Sequence, residues 1–565
     1  MKKPACLILA NLLLAGLSAA QTPAQAPRVT ASTELTLFNL DVVVTDSSGD
    51  AVHGLKAADF EVRHDGKLIT VTNFHEVRGT AFPAVSVVPL PPGDVPGAVA
   101  APEPAAEPRP IRRIVLFIDR LQLPDPNQRR QLFDSLRRLL SESLEENDEA
   151  MIVVWERSTQ TVMPFTSHLD ELEAILDRIE SSSGRMASEK ADIDALRQED
   201  AWFQSLAADP RIGVDFGGYQ PTAELYAMQA YFEMKAKTAV LKGLAATLGG
   251  MDGRKILVFV SHRFSRYAGL EFFLRDRDDV TVMQDPKTQK LDTKRLLDEV
   301  TRTANANGVT LYTVFPAGMD VPVPTAADSS LSNPAINSEP LGGREKMALS
   351  NELEALDFVS ARTGGVTSVG VGSLPKFVDR ISADLDSWYS LGYPAPPGGG
   401  NAAGVTVRVK DRKLNVRVRK TLLEKTAEDQ MADRVLAHLF QPDARSRIPI
   451  KIDAKLASNT GKFRMKLEVK IPIASLVLLP NANGAAGSFS VFVASVGPKG
   501  DFSEVTRRSQ AFEIPGAELD TAKTGYYTYE LEVTTSGPDA RLCVGVWDEK
   551  GNEAGFAVVK PSGPG

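Results

Sequence analysis

Residues 114–123 read IVLFIDRLQL. Five apolar residues in a row, closed by a single carboxylate, describe a strand buried on both faces, because a half-exposed strand would alternate apolar with polar. A helix start comes next. Asp125 stands at the cap position, Pro126 at the first helical position and Gln128 two further on, and Leu132, Phe133, Leu136, Leu139, Leu140 and Leu144 then recur at helical spacing. The same rhythm continues down the chain. "AMIVVW" and "TQTVMPF" read as strands and "SHLDELEAILDRIE" as a helix. After a break come helix "TAVLKGLAATLGG", strand "ILVFVS", helix "DTKRLLDEVTRTANANG" and strand "VTLYTVF". Helix "ALSNELEALDFVSARTGG", a short strand near Val366, helix "LPKFVDRISADL" and strand "SWYSLGYP" complete the series. Buried strands alternating with amphipathic helices predict an α/β fold, a doubly wound, mostly parallel, Rossmann-like sheet covered on both faces. This domain is assigned to residues 113–425, with a polar, largely helical insertion at 181–237. Two charged alternating segments, "VTVRVKDRK" and "LNVRVRKTL", are expected to pair as an appended hairpin over 404–421.

Outward from this domain the pattern is β on both sides. Residues 29–80 predict a small sandwich-like module, with "DFEVRHDGKLITV" turning over Asp65-Gly66 as a hairpin. Residues 82–112 are rich in Pro and Ala, cannot bury apolar surface and read as a linker. From 431 to 565, strands with Gly, Asn and Asp turns and no internal helix predict an immunoglobulin-like sandwich. Cys543 lies in one of these strands as a core thiol. The chain opens MKKPACLILANLLLAGLSAAQ, the pattern of a signal peptide over 1–20, and no other stretch is long and apolar enough to span a bilayer. The expectation is export to the periplasm or the cell exterior. Cys6 lies inside the leader, so the mature chain keeps one thiol and no internal disulfide.

With 565 residues, 43% hydrophobic and 24% charged, the composition is that of a soluble multidomain protein. Formal charge is -8, and loss of Lys2 and Lys3 takes the mature chain to about -10. No long basic block is present, which argues against nucleic acid as a partner. Catalytic signatures are missing too: there is no G-x-S-x-G elbow, H-E-x-x-H helix or C-x-x-C pair. "GGMDGRK" precedes a strand and lacks Ser or Thr after the lysine, so it is a helix-to-strand turn and not a phosphate loop. His53, His64 and His75 recur through the N-terminal β module without an acidic pattern that would make them ligands. His262 is different, because it falls at the C-terminal end of a strand, where open α/β sheets bind ligands. No nucleophile can be tied to it.

Six stretches, in order, resemble one family: "LDVVVTDSSGDAVHGLKAADFEVRHDGK", "IVLFID", "MDGRKILVFVS", "ARTGG", "DLDSWYSLGYP" and "VTVRVKDRKLNVRVRK". The chain resembles the VWFA-related proteins of the acidobacterial type, whose central domain has the von Willebrand factor type A fold. The resemblance implies a metal-ion-dependent adhesion site: an Asp-x-Ser-x-Ser loop after the first strand, a Thr from a second loop and an Asp from a third, holding Mg²⁺ through hard oxygens. This sequence keeps Asp119 but has Leu121 and Leu123 in place of both serines. Ser261, His262 and Arg263 stand where the third loop would offer its aspartate, and Thr222 is the nominee for the middle ligand. The expectation is therefore a degenerate site without metal or cofactor and with no catalytic residue. The function expected is an exported, non-enzymatic interaction or adhesion scaffold. Its protein partner would meet a rim of Asp119, Arg120, Gln122, Asp125, Ser261, His262 and Arg263, or the helical insertion with its Trp202, Phe203, Tyr219, Tyr226, Tyr231 and Phe232. A metal-dependent adhesion module with rearranged ligands and a hydrolase built on His262 are the alternatives.

Overall fold

The computed structural model describes residues 37–78, 111–156, 159–182, 221–274, 280–316, 343–394, 403–423, 425–441, 446–458, 463–497 and 502–560, with isolated residues between 195 and 202. The stretches read as leader and linker lie outside these, save Ile111 and Arg112. The chain begins with β1 (Leu37–Thr45), β2 (Phe60–His64), β3 (Lys67–Ile69) and β4 (Asn73–Arg78). It enters the α/β region through β5 (Arg112–Asp119), α1 (Pro126–Ser143), β6 (Glu149–Trp155), β7 (Thr159–Thr166), α2 (Leu169–Glu180), α3 (Pro221–Gly249) and β8 (Arg254–Val260). The region continues with α4 (Lys294–Ala306), β9 (Val309–Phe315), α5 (Gly343–Thr363), β10 (Thr367–Val369) and α6 (Leu374–Asp386).

These strands form one six-stranded sheet in the order β10-β9-β8-β5-β6-β7. All neighbours are parallel except β7, which runs antiparallel to β6 at the edge. Counted from β5 as the first, the order is 3-2-1-4-5-6, that of the doubly wound fold, and its winding reverses between β5 and β8. Alternation along β5 sends successive side chains to opposite faces. Ile114, Leu116 and Ile118 join the cluster covered by α1, α2 and α6. Val115 and Phe117 join the cluster covered by α3, α4 and α5. Asp119 has the parity of the second set, so its side chain is delivered toward α3. Burying each such Leu, Ile or Phe contributes roughly 1.5–3 kcal/mol, which fixes the strand's register.

Beyond α6 the chain gives β11 (Ser387–Pro394), β12 (Ala403–Val409), β13 (Asn415–Arg417) and β14 (Thr421–Leu422). Here the structure corrects the expected organisation. "SWYSLGYP" does not extend the parallel sheet, since β11 lies between β1 and β4 in the antiparallel order β13-β1-β11-β4. Nor do the two charged segments pair along their whole length as a hairpin of their own. The expected pairing is kept only at its outer ends, where Gly404 of β12 stands opposite Thr421 of β14; farther in, β12 pairs with β2 and β13 with β1, so the middle of the hairpin opens into two different sheets. The segments before and after the α/β region thus share one apolar cluster, with Leu40, Val42, Val62, Tyr389, Tyr393 and Val407 buried in it. The reason is the half-buried alternation of each strand: a lone hairpin has no second layer to cover its apolar face, and its neighbours supply one. The β2–β3 hairpin does turn over Asp65-Gly66, both with positive φ, at 48° and 78°.

A further correction lies at the next boundary. Residues read as the start of a helix-free β region contain α7 (Ala427–His438), opened by a capping box between Thr426 and Asp429. Past it come β15 (Lys451–Ser458), β16 (Phe463–Pro472), β17 (Leu479–Asn481), β18 (Gly484–Val496), β19 (Thr506–Pro515), β20 (Tyr526–Thr535), β21 (Arg541–Asp548) and β22 (Glu553–Val559). They make two antiparallel sheets, β15-β16-β20 and β17-β18-β21-β22 with β19 also on β18, around a common cluster. Met431, Val435 and Leu436 of α7 bury with Phe492, Cys543 and Phe556 and with α3 residues in the same core as the central sheet. Cys543 is fully buried, and burial pushes its thiol well above the ordinary range.

Candidate functional site

The carboxyl ends of β5 and β8 flank the point where the winding reverses, the place where open α/β sheets hold ligands. Asp119 ends β5 and is 1% exposed. Its partner comes from α3. Lys237 Nζ lies 2.5 Å from Asp119 Oδ2 and 2.7 Å from Glu233 Oε1, one helical turn back on the same face. Lys237 is itself 0% exposed. Burial pushes the Asp119 carboxyl up and the Lys237 amine down, and their mutual charge opposes both. With Asp119 on one side and Glu233 on the other, the ammonium is held above its ordinary range. Burial also raises Glu233, but Lys237, then Arg263 and Trp155, outweigh it and keep that carboxyl below its usual value. The third contact on Asp119 is Ser261, whose Oγ lies 3.0 Å from Oδ2 and 2.8 Å from the His262 backbone oxygen. Asp119 Oδ1 is buried and accepts no hydrogen bond among the described residues.

The loop after β8 is pinned to α5. The Arg263 backbone N–H donates to Glu352 Oε2 at 2.9 Å, and Asn351 exchanges two side-chain bonds with the backbone of Tyr267. His262 Nδ1 lies 3.5 Å from Glu352 Oε2, and its ring stacks on Phe315. Arg263 adopts φ of 60°, a left-handed conformation costly for a side chain of its size. Its guanidinium donates to Glu271 Oε1 at 2.6 Å and sits over Phe272. Burial, and next the charge of Glu271, push Glu352 up to about 7 against the pull of Arg263 and Lys237.

Of the expected rim, Asp119, Ser261, His262 and Arg263 are brought together. Arg120 turns aside to Glu156 at 3.0 Å. Asp125 caps α1, accepting from the N–H groups of Asn127 and Gln128 at 3.0 and 3.2 Å. The Gln122 side chain lies outside the described residues, as do Phe203 and Tyr219 of the insertion. Leu123 is buried in the apolar cluster with α1. Thr222 bonds Glu199 at 3.0 Å. It stands fifteen residues before Lys237 on one continuous helix, about 22 Å along its axis, and so is not a neighbour of Asp119.

Lys237, Glu233, Glu271 and Glu352 were not among the expected site residues. A signal for Lys237 was present. Met234, Lys237, Leu241, Leu244 and Leu248 repeat at 3-4-3-4 spacing, and all five are buried, so the lysine occupies a position in a core stripe. Ending the insertion at 237 cut that stripe, whereas α3 runs unbroken across the boundary.

No family model and no curated protein matches the chain. Among solved structures it is similar to the conserved hypothetical protein BatB from Bacteroides thetaiotaomicron, at 12% identity over 48% of this chain and 98% of that one, with a TM-score of 0.20. It is also similar to a von Willebrand factor type A protein from Catenulispora acidiphila, at 8% identity over 65% and 74%, with a TM-score of 0.24. A pilus adhesin, SpaC from Lactobacillus rhamnosus GG, matches at 8% identity over 89% and 56%, with a TM-score of 0.22. At such scores the likeness says nothing of function. No helix among the described residues is long and apolar enough to cross a membrane.

Proposed function

We propose that the chain is an exported, non-enzymatic interaction scaffold whose doubly wound domain works without a metal ion. The observation that carries this reading is the buried ammonium of Lys237 on Asp119. In a type A adhesion site that aspartate anchors a divalent cation whose open coordination position takes the partner. Here an internal cation stands against the carboxylate, Leu121 and Leu123 replace the hydroxyl donors, and Arg263 adds a further positive charge nearby. These groups do not fit Mg²⁺, which requires several hard oxygens in near-octahedral array. With Lys237 neutralising Asp119 inside, contact falls to the surface of the switch point.

A protein partner is supported by the same helix. Leu225, Met228 and Phe232 lie one and two turns apart along α3 and are 67%, 51% and 58% exposed. Large apolar side chains in a row on a solvated helix are a feature of protein contact faces. The leader-like opening of the sequence supports an encounter outside the cytoplasm. The flanking β units, the C-terminal one read as immunoglobulin-like, act as supports packed on the central domain.

The test combines two measurements. Melting of the purified mature chain is expected to be the same in Mg²⁺, Mn²⁺ and EDTA; a shift on chelation would favour the metal-dependent reading. Crosslinking in the native envelope is expected to give a defined product that Met228→Glu with Phe232→Glu abolishes without lowering Tm. A hydrolytic activity lost in His262→Ala would overturn the non-enzymatic reading.

A further inference from the structure

The opposite, amino end of the central sheet meets the first β unit, and three arginines converge there. Arg254 opens β8, Arg417 ends β13 and Arg419 lies two residues beyond it, and together they line a small cavity with Asp41, Gly308 and Gly364. The Arg254 side chain is 7% exposed. Its Nη1 lies 3.4 Å from Asp41 Oδ2, its guanidinium stacks over Trp388, and its buried Nε has no acceptor among the described residues. Arg417 grips Asp384 through both terminal nitrogens, yet its Nε is equally without an acceptor. Among the described residues Arg419 donates to backbone, to the carbonyls of Asn305 and Asn39.

The charges do not balance. Three guanidinium groups face two carboxylates, and one of these, Asp41, has its side chain 44% exposed. The surplus is felt by the neighbours. Burial holds Arg419 below its ordinary range against the pull of Asp41, with Arg254 adding to the lowering, and burial, Arg419 and Lys425 bring Lys255 down to about 8. Leaving buried positive charge uncompensated is costly, and an anion between the guanidinium groups would remove that cost. The enclosed space between them is about that of one water molecule, which suits a compact monatomic guest.

We propose that this cavity is a binding site for a small inorganic anion of the size of chloride, held by Arg254, Arg417 and Arg419. The bound anion ties β8 of the central sheet to the strand that leads into the first β unit. It works as a structural clamp at the end of the sheet opposite Asp119.

The test uses the full mature chain. Replacing sodium gluconate by sodium chloride at constant ionic strength is expected to raise Tm by roughly 2 °C, bromide is expected to act likewise, and Arg419→Gln is expected to flatten the response. Should that variant fail to fold, crystals of the wild-type chain grown in bromide decide the matter. An anomalous peak within hydrogen-bond reach of Arg254 and Arg419 supports the site. Equal melting in chloride and gluconate, an empty anomalous map there, or stabilisation by phosphate without any by bromide would overturn it.

Discussion

An ammonium with no solvent contact is tolerable only while its carboxylates face it, so the Lys237 site can be dissected one side chain at a time. Lys237→Met leaves Asp119 buried and unpaired and is expected to destabilise the fold by about 3–5 kcal/mol. Asp119→Leu combined with Lys237→Met removes both charges and is expected to recover most of that loss, because Glu233 retains 26% exposure and can be solvated. Urea unfolding of the wild type, both single variants and the double variant measures this, and a double-variant loss equal to the sum of the two single losses would show that the pair is uncoupled. Glu352 gives a second handle, through pH. Its carboxyl ionises at about 7 in the folded chain against an ordinary value of 4.5, so the folded state holds the extra proton between those limits. The stability it allows is full below pH 4.5 and is lost as pH rises through 7, by about 3 kcal/mol. Glu352→Gln keeps an acceptor for the Arg263 N–H and is expected to abolish this slope. Relative to wild type it should gain stability at pH 8 and little at pH 4.5, as read by urea midpoints at the two values.

At the scale of elements, what was legible depended on where the deciding information lies. The strand 114–119 and the helix after it are spelled locally: a continuous apolar run, a capping aspartate, Pro126 at the first helical position and leucines at helical spacing. The mostly parallel character of the sheet followed from that alternation; its strand order did not. Asp119 at the end of β5 and Ser261–Arg263 at the end of β8 were likewise legible, because strand ends at a switch point are set by the order of elements. What the sequence did not reveal is which strands pair across long separations. Val42 of β1 is opposite Tyr389 of β11, separated by the whole α/β region, and nothing in "SWYSLGYP" distinguishes a parallel core strand from an antiparallel one buried on both faces. Helix α7 was missed for a related reason: its apolar residues Met431, Val435 and Leu436 are few, and their partners Phe492 and Cys543 lie far along the chain. Lys237 was hidden by its own chemistry, since a lysine in an apolar stripe looks like an interruption until a carboxylate is brought opposite.

For the whole molecule, the central cluster crosses the boundary between the α/β region and the C-terminal sheets. Met431, Val435, Leu436, Leu439 and Phe440 of α7 and its end bury in one cluster with residues of α3 and with Phe492, Val496, Cys543 and Phe556. Close approach is built in at Gly545, where an added Cβ would stand 2.6 Å from the Val435 side chain and 2.8 Å from Met431. An interface this apolar does not behave as a hinge between independent domains, because separating it exposes core side chains from both partners. The C-terminal sheets are therefore expected to melt together with the central domain in one transition, although their own cluster around Met465, Leu467 and Val491 is separate. A chain ending at Gln441 keeps α7 but strips its outer cover, leaving several large apolar side chains in water. It is expected to lose several degrees in Tm and to bind a hydrophobic dye that the full chain ignores. Calorimetry of the two chains decides between the alternatives: two separated transitions in the full chain, with the earlier one absent after truncation and the later one unmoved, would mean that α7 merely touches the sheets and does not weld them to the central fold.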